Sequence, residues 1–291
     1  MVVDFIGIGA QKSATSWLYK MLKQHPDLWV PPRKELHYFD RSLKYASPSF
    51  LATDKYIDRI DGLDAHNMLF KEKMKQELLD IKSVDIVKRE WFKKYFQSNY
   101  DDRWYKSLFE EGKGRIKGEI TPAYSILSQE DILHIKNLFP KLKVIFIMRD
   151  PVERAWSQIR FFMDRKKLND TASFEELIKF IESPNLSSRG DYVRTLNNWN
   201  TYFHNELFIG CYEDIKSDPI HFLNQIFIFL GVKPLATQLK GIYKKVNISD
   251  TTVTQMDAQL KEYLVGKYMP QIEVLSNDYP CAKKWLYKYK E

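Results

Sequence analysis

The chain has 291 residues, 44% hydrophobic and 29% charged, a globular composition that excludes a largely disordered polymer and suffices for one sizeable core. Lys and Arg total 45 against 38 Asp and Glu, a formal +7; with both signs interspersed, this suits an anionic ligand and falls short of the basic stripe of a dedicated nucleic-acid binder. Cys211 and Cys281 are the only cysteines; without CxxC or metal-ligand spacing they argue against a disulfide scaffold and a zinc site, and are expected as buried, reduced thiols.

In chain order, Phe5–Gly9 reads as a short apolar strand, residues 10–14 as a loop, and the stretch from Thr15 as a helix ended by Pro26, with Trp17, Leu18, Met21 and Leu22 at helical spacing. The strand opens the chain with Asp4 beside it and no basic leader. No apolar run reaches the ~18–20 residues of a membrane span, so a cytoplasmic setting is expected. Residues 51–102 are rich in Lys, Glu and aromatics and predict an inserted, mostly polar helical subdomain or lid. Ile116–Ile120 predicts a second strand, 130–139 a helix stopped by Pro140, and Lys143–Met148 a buried parallel strand. A helix over 152–165, a strand over 207–212 and a helix opened by Asp218-Pro219 and closed by Gly231 complete the pattern. Strands alternating with helices imply a doubly wound parallel α/β sheet of P-loop type, one domain over 1–291 carrying the insertion.

The chemistry concentrates where the first strand runs into the first helix: Gly7-Ile8-Gly9-Ala10-Gln11-Lys12-Ser13-Ala14-Thr15-Ser16. Unpaired N–H groups and the helix dipole make such a junction an anion site, to which Lys12 adds a charge and Ser13, Thr15 and Ser16 add hydroxyls. It is neither a dinucleotide fingerprint, because Lys12 stands at the third glycine, nor a complete Walker A loop, because Gln11 precedes the lysine. A second cationic site follows the strongest strand, in Arg149-Asp150-Pro151-Val152-Glu153-Arg154-Ala155-Trp156-Ser157. On a helical wheel Ser157 and Arg154 lie away from Ala155, Ile159 and Phe162, which leaves Ser157 free for a ligand, with Arg149 at a strand's carboxyl end.

Together these segments resemble the sulfotransferases that use 3′-phosphoadenosine 5′-phosphosulfate (PAPS). Gln11 to Ser16 looks like their 5′-phosphosulfate loop, with Ala14 where glycine is usual, and Arg149 with Ser157 eight residues on is similar to their 3′-phosphate motif. Lys117-Gly118-Glu119-Ile120-Thr121-Pro122-Ala123-Tyr124 resembles the strand and turn after the insertion in bacterial and heparan-type members, some of which carry lysine where Ile120 stands. Arg189, Tyr192 and Trp199 resemble a later nucleotide-contacting segment. The resemblance spans roughly 3–50 and 100–235; in the tail, Lys244 is compatible with a cofactor contact.

In Lys34-Glu35-Leu36-His37-Tyr38-Phe39, the resemblance to heparan-type members implies that Glu35 takes the acceptor's proton. Read as a strand, the segment puts Glu35 and His37 on one face, and His37 is the competing base. The resemblance implies sulfuryl transfer from PAPS to a hydroxyl or amine, with adenosine 3′,5′-bisphosphate (PAP) as product. Lys12 would stabilise the leaving group, His37 would assist, and no metal is required. The acceptor would be an alcohol, glycan or other small molecule, not a nucleic acid. Trp and Tyr around 91–105 would suit an apolar one. Acceptor identity and oligomeric state are not written in these motifs. The competing readings are a P-loop kinase, which needs a complete Walker A loop, and a non-catalytic basic module.

Overall fold

The computed structural model describes residues 3–45, 53–80, 86–244 and 255–290. The elements are β1 (Phe5–Gly9), α1 (Thr15–Leu22), β2 (Leu28–Trp29), α2 (Tyr56–Asp61), α3 (Ala65–Asp80), α4 (Ile86–Phe96), α5 (Asp102–Ser107), β3 (Ile116–Ile120), α6 (Gln129–Leu138) and β4 (Lys143–Met148). They continue with α7 (Pro151–Asp164), α8 (Phe174–Glu182), α9 (Pro184–Gly190), α10 (Tyr192–Phe203), β5 (Leu207–Cys211), α11 (Tyr212–Ser217), α12 (Pro219–Leu230), α13 (Ala258–Ser276) and α14 (Pro280–Lys290).

The sheet runs β2-β3-β1-β4-β5, and every pairing is parallel. Side-chain alternation feeds a core on each face. Ile6, Ile8, Val144, Phe146 and Met148 enter one core, while Phe5, Ile145 and Ile147 enter the other with Trp17, Leu18 and Phe227. β1 is central, and the chain passes to β4 on its far side, so the crevice beyond the carboxyl ends of β1 and β4 is the topological switch point at which open α/β sheets bind ligands. Capping fixes the helix starts on this edge. Asp150 accepts from the Val152 and Glu153 N–H groups (3.0 and 3.3 Å) with Pro151 at N1, and Asp218 accepts from His221 N–H (2.9 Å) with Pro219 at N1.

Three expectations are corrected. The thiols are buried as expected but paired: Cys211, ending β5, and Cys281, in the first turn of α14, form a disulfide across 70 residues of sequence. Sequence spacing carried no trace of that proximity, because it arises from packing α14 against the sheet edge. A paired thiol also removes one ground for expecting a reducing compartment. Secondly, the insertion is helical, with residues 51–52 and 81–85 outside the described ones, but its aromatics are core. Trp91, Phe92, Tyr95 and Phe96 lie on one face of α4 and share a cluster with Tyr100, Trp104, Tyr105 and the β1 residues Ile6 and Ile8. Trp91, Tyr95, Tyr100, Trp104 and Tyr105 are all buried. Thirdly, Arg154 is fully buried instead of facing outward with Ser157.

No described helix is long and apolar enough to cross a membrane.

Candidate active site

The loop after β1 turns through left-handed backbone at Lys12 (φ 69°) and at Ala14 (φ 59°, ψ 20°), the N-cap of α1. The turn aims the first N–H groups of α1 out of the sheet edge, and Ala14 offers no side-chain cap to satisfy them. Ser13 is fully buried, and its hydroxyl has no hydrogen-bond partner among the described residues. Thr15 is buried; Gln11 and Ser16 are half-buried.

β4 delivers Arg149 to the same place. Its Nη1 donates to the Lys12 carbonyl (2.9 Å), and its guanidinium lies 4.6 Å from the centre of the Tyr212 ring. Among the described residues no carboxylate lies within ion-pairing distance of it. Tyr192 O–H donates to the Arg149 carbonyl (3.0 Å), so this buried tyrosine braces the backbone of the motif. Asp150 faces away from Arg149: its second oxygen accepts from Lys288 Nζ (2.8 Å) and Tyr289 O–H (2.6 Å) of α14, and Lys288 also reaches Glu153 (3.0 Å). Ser157 is half-buried on α7, and Lys244 is exposed at the end of a described segment.

Lys12 Nζ sits 4.1 Å from the centre of the Phe161 ring on α7. Burial lowers its pKa to about 8, helped by the positive charges of Arg149, Arg165 and Arg160 and opposed by Asp164. The positive charges acting on Lys12 outnumber the one carboxylate, a field suited to a polyanion, and the buried Ser13 hydroxyl adds a polar group to the same loop. Arg160 and Arg165 had no motif to announce them; only their places on α7 and at its C-cap bring their charges to bear on Lys12.

The acid–base segment lies between β2 and α2, hydrogen-bonded to the carboxyl end of β3. Glu35 N–H donates to the Ile120 carbonyl (3.2 Å), and Thr121 N–H donates to the Gly7 carbonyl of β1 (2.9 Å). Glu35 and His37 do share one side, but not by strand alternation. Both residues are left-handed (φ 67° and 57°), while Leu36 and Tyr38 are buried on the other side.

His37 Nδ1 lies 2.8 Å from Asp40 Oδ2, and its Nε2 lies 3.5 Å from Glu35 Oε2. Lys34 pairs with the other Glu35 oxygen. Burial lowers the His37 pKa, but the charge and hydrogen bond of Asp40, then those of Glu35, raise it to about 10. Burial raises that of Glu35, yet the hydrogen bond from His37 and the charge of Lys34 hold it well below the usual carboxylate range. Asp40 completes this array and was not among the sequence candidates, although its spacing of three residues from His37 was available as a signal.

Arg189, expected at the nucleotide, is buried with its Nε donating to Asn185 (2.8 Å). Burial lowers its pKa, while Asp40 and Glu35 raise it, so its charge lies in the field of the acid–base array.

Comparison with known proteins shows relatives in sequence and in fold. Carbohydrate sulfotransferase 15 of Mus musculus is 24% identical over 284 residues, covering 85% of this chain and 47% of that protein. Heparan sulfate glucosamine 3-O-sulfotransferase 6 of Mus musculus is 30% identical over 154 residues, covering 49% of this chain and 44% of that protein. The chain thus spans about half the length of the curated relatives it matches. A sulfotransferase structure from Alicyclobacillus acidocaldarius shares the fold, with a TM-score of 0.64 over 97% of this chain and 99% of that one at 20% identity. The sulfotransferase family model matches residues 4–236, and the chain belongs to that family.

Proposed function

We propose that this chain transfers a sulfuryl group from PAPS to a hydroxyl of a carbohydrate or small-molecule acceptor. The observation that carries the reading is a meeting at one sheet edge. A four-cation cradle built on the loop after β1 lies across that strand's carboxyl end from the Glu35–His37–Asp40 array.

The cradle suits the co-substrate because a polyanion relieves the repulsion that Arg149, Arg165 and Arg160 exert on Lys12. Bound PAPS supplies an activated sulfuryl group on a phosphate leaving group; the residues supply the rest. Lys12 and the N–H groups opening α1 meet the negative charge collecting on the departing phosphate. Arg149 and Ser157 hold the 3′-phosphate.

Glu35 takes the proton of the acceptor hydroxyl as its oxygen bonds to sulfur and the sulfur–oxygen bond to the phosphate breaks. Exposure and protonation both favour Glu35 over His37. The Glu35 side chain is 37% exposed, that of His37 20% and that of Asp40 0%. An imidazolium held by Asp40 has no lone pair with which to accept a proton at neutral pH. His37 instead orients the Glu35 carboxylate.

The test is transfer of ³⁵S from labelled PAPS to a panel of alcohols and glycans. Transfer that falls at least about 10²-fold in Glu35→Gln, with PAP binding retained, supports the reading. Phosphoryl transfer from ATP with no ³⁵S transfer would overturn it.

A further inference from the structure

Glu35 and His37 hold left-handed backbone that neither residue favours, so the surroundings must enforce it. The enforcement traces to one buried side chain. Glu119, on β3, is 1% exposed and receives four donors. Tyr105 O–H (2.7 Å) and Tyr124 O–H (2.9 Å) reach Oε1; Thr121 O–H (2.6 Å) and Leu36 N–H (3.2 Å) reach Oε2. Four donors fill the lone-pair sites of an ionised carboxylate.

Two of these partners pass the constraint on to the acid–base segment. Thr121 Oγ1 also accepts from Leu36 N–H (2.9 Å), and the Tyr124 hydroxyl also accepts from Tyr38 N–H (3.1 Å). Tyr95 O–H donates to the Leu36 carbonyl (3.2 Å), which closes the set. The N–H groups of Leu36 and Tyr38, on either side of His37, are thus fixed by Glu119 directly or by a hydroxyl that donates to it.

We propose that Glu119 is a positioning residue for sulfuryl transfer, holding the 35–38 backbone in the turn that aligns Glu35 with His37 and Asp40. It touches neither co-substrate nor acceptor in this role. The inference rests on the function proposed above, but its structural half stands apart from turnover. A glutamine cannot replace the carboxylate, because its amide nitrogen would point hydrogens at two donors. Through Tyr105 the same carboxylate also ties α5, which follows the helical insertion, to the segment.

The test compares Glu119→Gln and Tyr124→Phe with wild type. Tyr124→Phe keeps the ring in the core and removes only the hydroxyl. Three readouts are taken: PAP affinity, turnover with PAPS, and the ¹⁵N titration of the His37 ring, whose charged neighbours are Lys34, Glu35, Asp40 and Arg189. The expected result is PAP affinity within about threefold of wild type, turnover down at least about 30-fold, and a His37 midpoint moved down by at least one pH unit as Glu35 and Asp40 lose register. Tyr124→Phe decides the matter alone if Glu119→Gln does not fold. An unmoved His37 midpoint in folded Tyr124→Phe would overturn the proposal, as would PAP affinity falling in step with turnover. If wild type transfers no sulfuryl group, the functional reading fails, while the His37 titration still decides whether Glu119 sets the array.

Discussion

Asp40 Oδ2 lies 2.8 Å from His37 Nδ1, and the ring's other nitrogen faces Glu35 at 3.5 Å. The ring is therefore flanked by carboxylates on both edges. Its pKa, raised to about 10, makes the pairing fully effective below the ordinary histidine value near 6.5 and lost as pH rises through about 10. The ring should be doubly protonated at pH 8 by ¹⁵N NMR. Asp40→Asn should drop its midpoint by more than one unit and destabilise the fold by about 1.5–3 kcal/mol, the scale of a charged hydrogen bond. His37→Gln should cost less turnover than Glu35→Gln; the reverse order would make His37 the base.

Ala14 occupies left-handed backbone where only glycine sits without strain. Ala14→Gly should stabilise the protein by up to about 1 kcal/mol, the relief of the Cβ clash exceeding the added unfolded-state entropy. Ala14→Val should destabilise it by more. Thermal melts of both variants check the sign, and PAP affinity should not fall in Ala14→Gly.

The Cys211–Cys281 bond and the Lys288 and Tyr289 contacts to Asp150 hold α14 near both of its ends. Closing 70 residues in the unfolded chain is worth about 4 kcal/mol in the loop-entropy account. Cys281→Ser, or reduction by a phosphine, should lower the melting temperature by several degrees. Lys288→Ala should destabilise less, because that ammonium is half-exposed.

What could be read from the sequence was set by neighbours in the chain. The loop from Gln11 to Ser16 and the Arg149-Asp150-Pro151 turn are local strand-to-helix junctions, and both were legible as such. The geometry of Glu35 and His37 was not, because their left-handed turn is imposed by Glu119, Thr121 and Tyr124, more than 80 residues away. Arg189 illustrates the same limit: the resemblance names it, but only the packing of α9 shows that its charge lies in the field of Asp40 and Glu35. The polar composition of the insertion hid an aromatic face on α4 that only the 3.6-residue period reveals.

Arg149 should discriminate nucleotides by their 3′-phosphate. Arg149→Ala should weaken PAP by about 2–5 kcal/mol, the scale for truncating a buried charge contact. The loss for 5′-AMP should be much smaller, arising only from the released Lys12 carbonyl. Calorimetric titration of both nucleotides measures the difference, and equal losses would remove the 3′-phosphate from Arg149.

The most direct measurement of the central claim is a calorimetric titration of the wild-type protein with PAP and with ATP, without Mg²⁺. A cradle of Lys12, Arg149, Arg160 and Arg165 serving PAPS predicts that PAP binds at least tenfold more tightly than ATP, and that Lys12→Ala weakens it. ATP binding as tightly as PAP, or more tightly, would contradict the account.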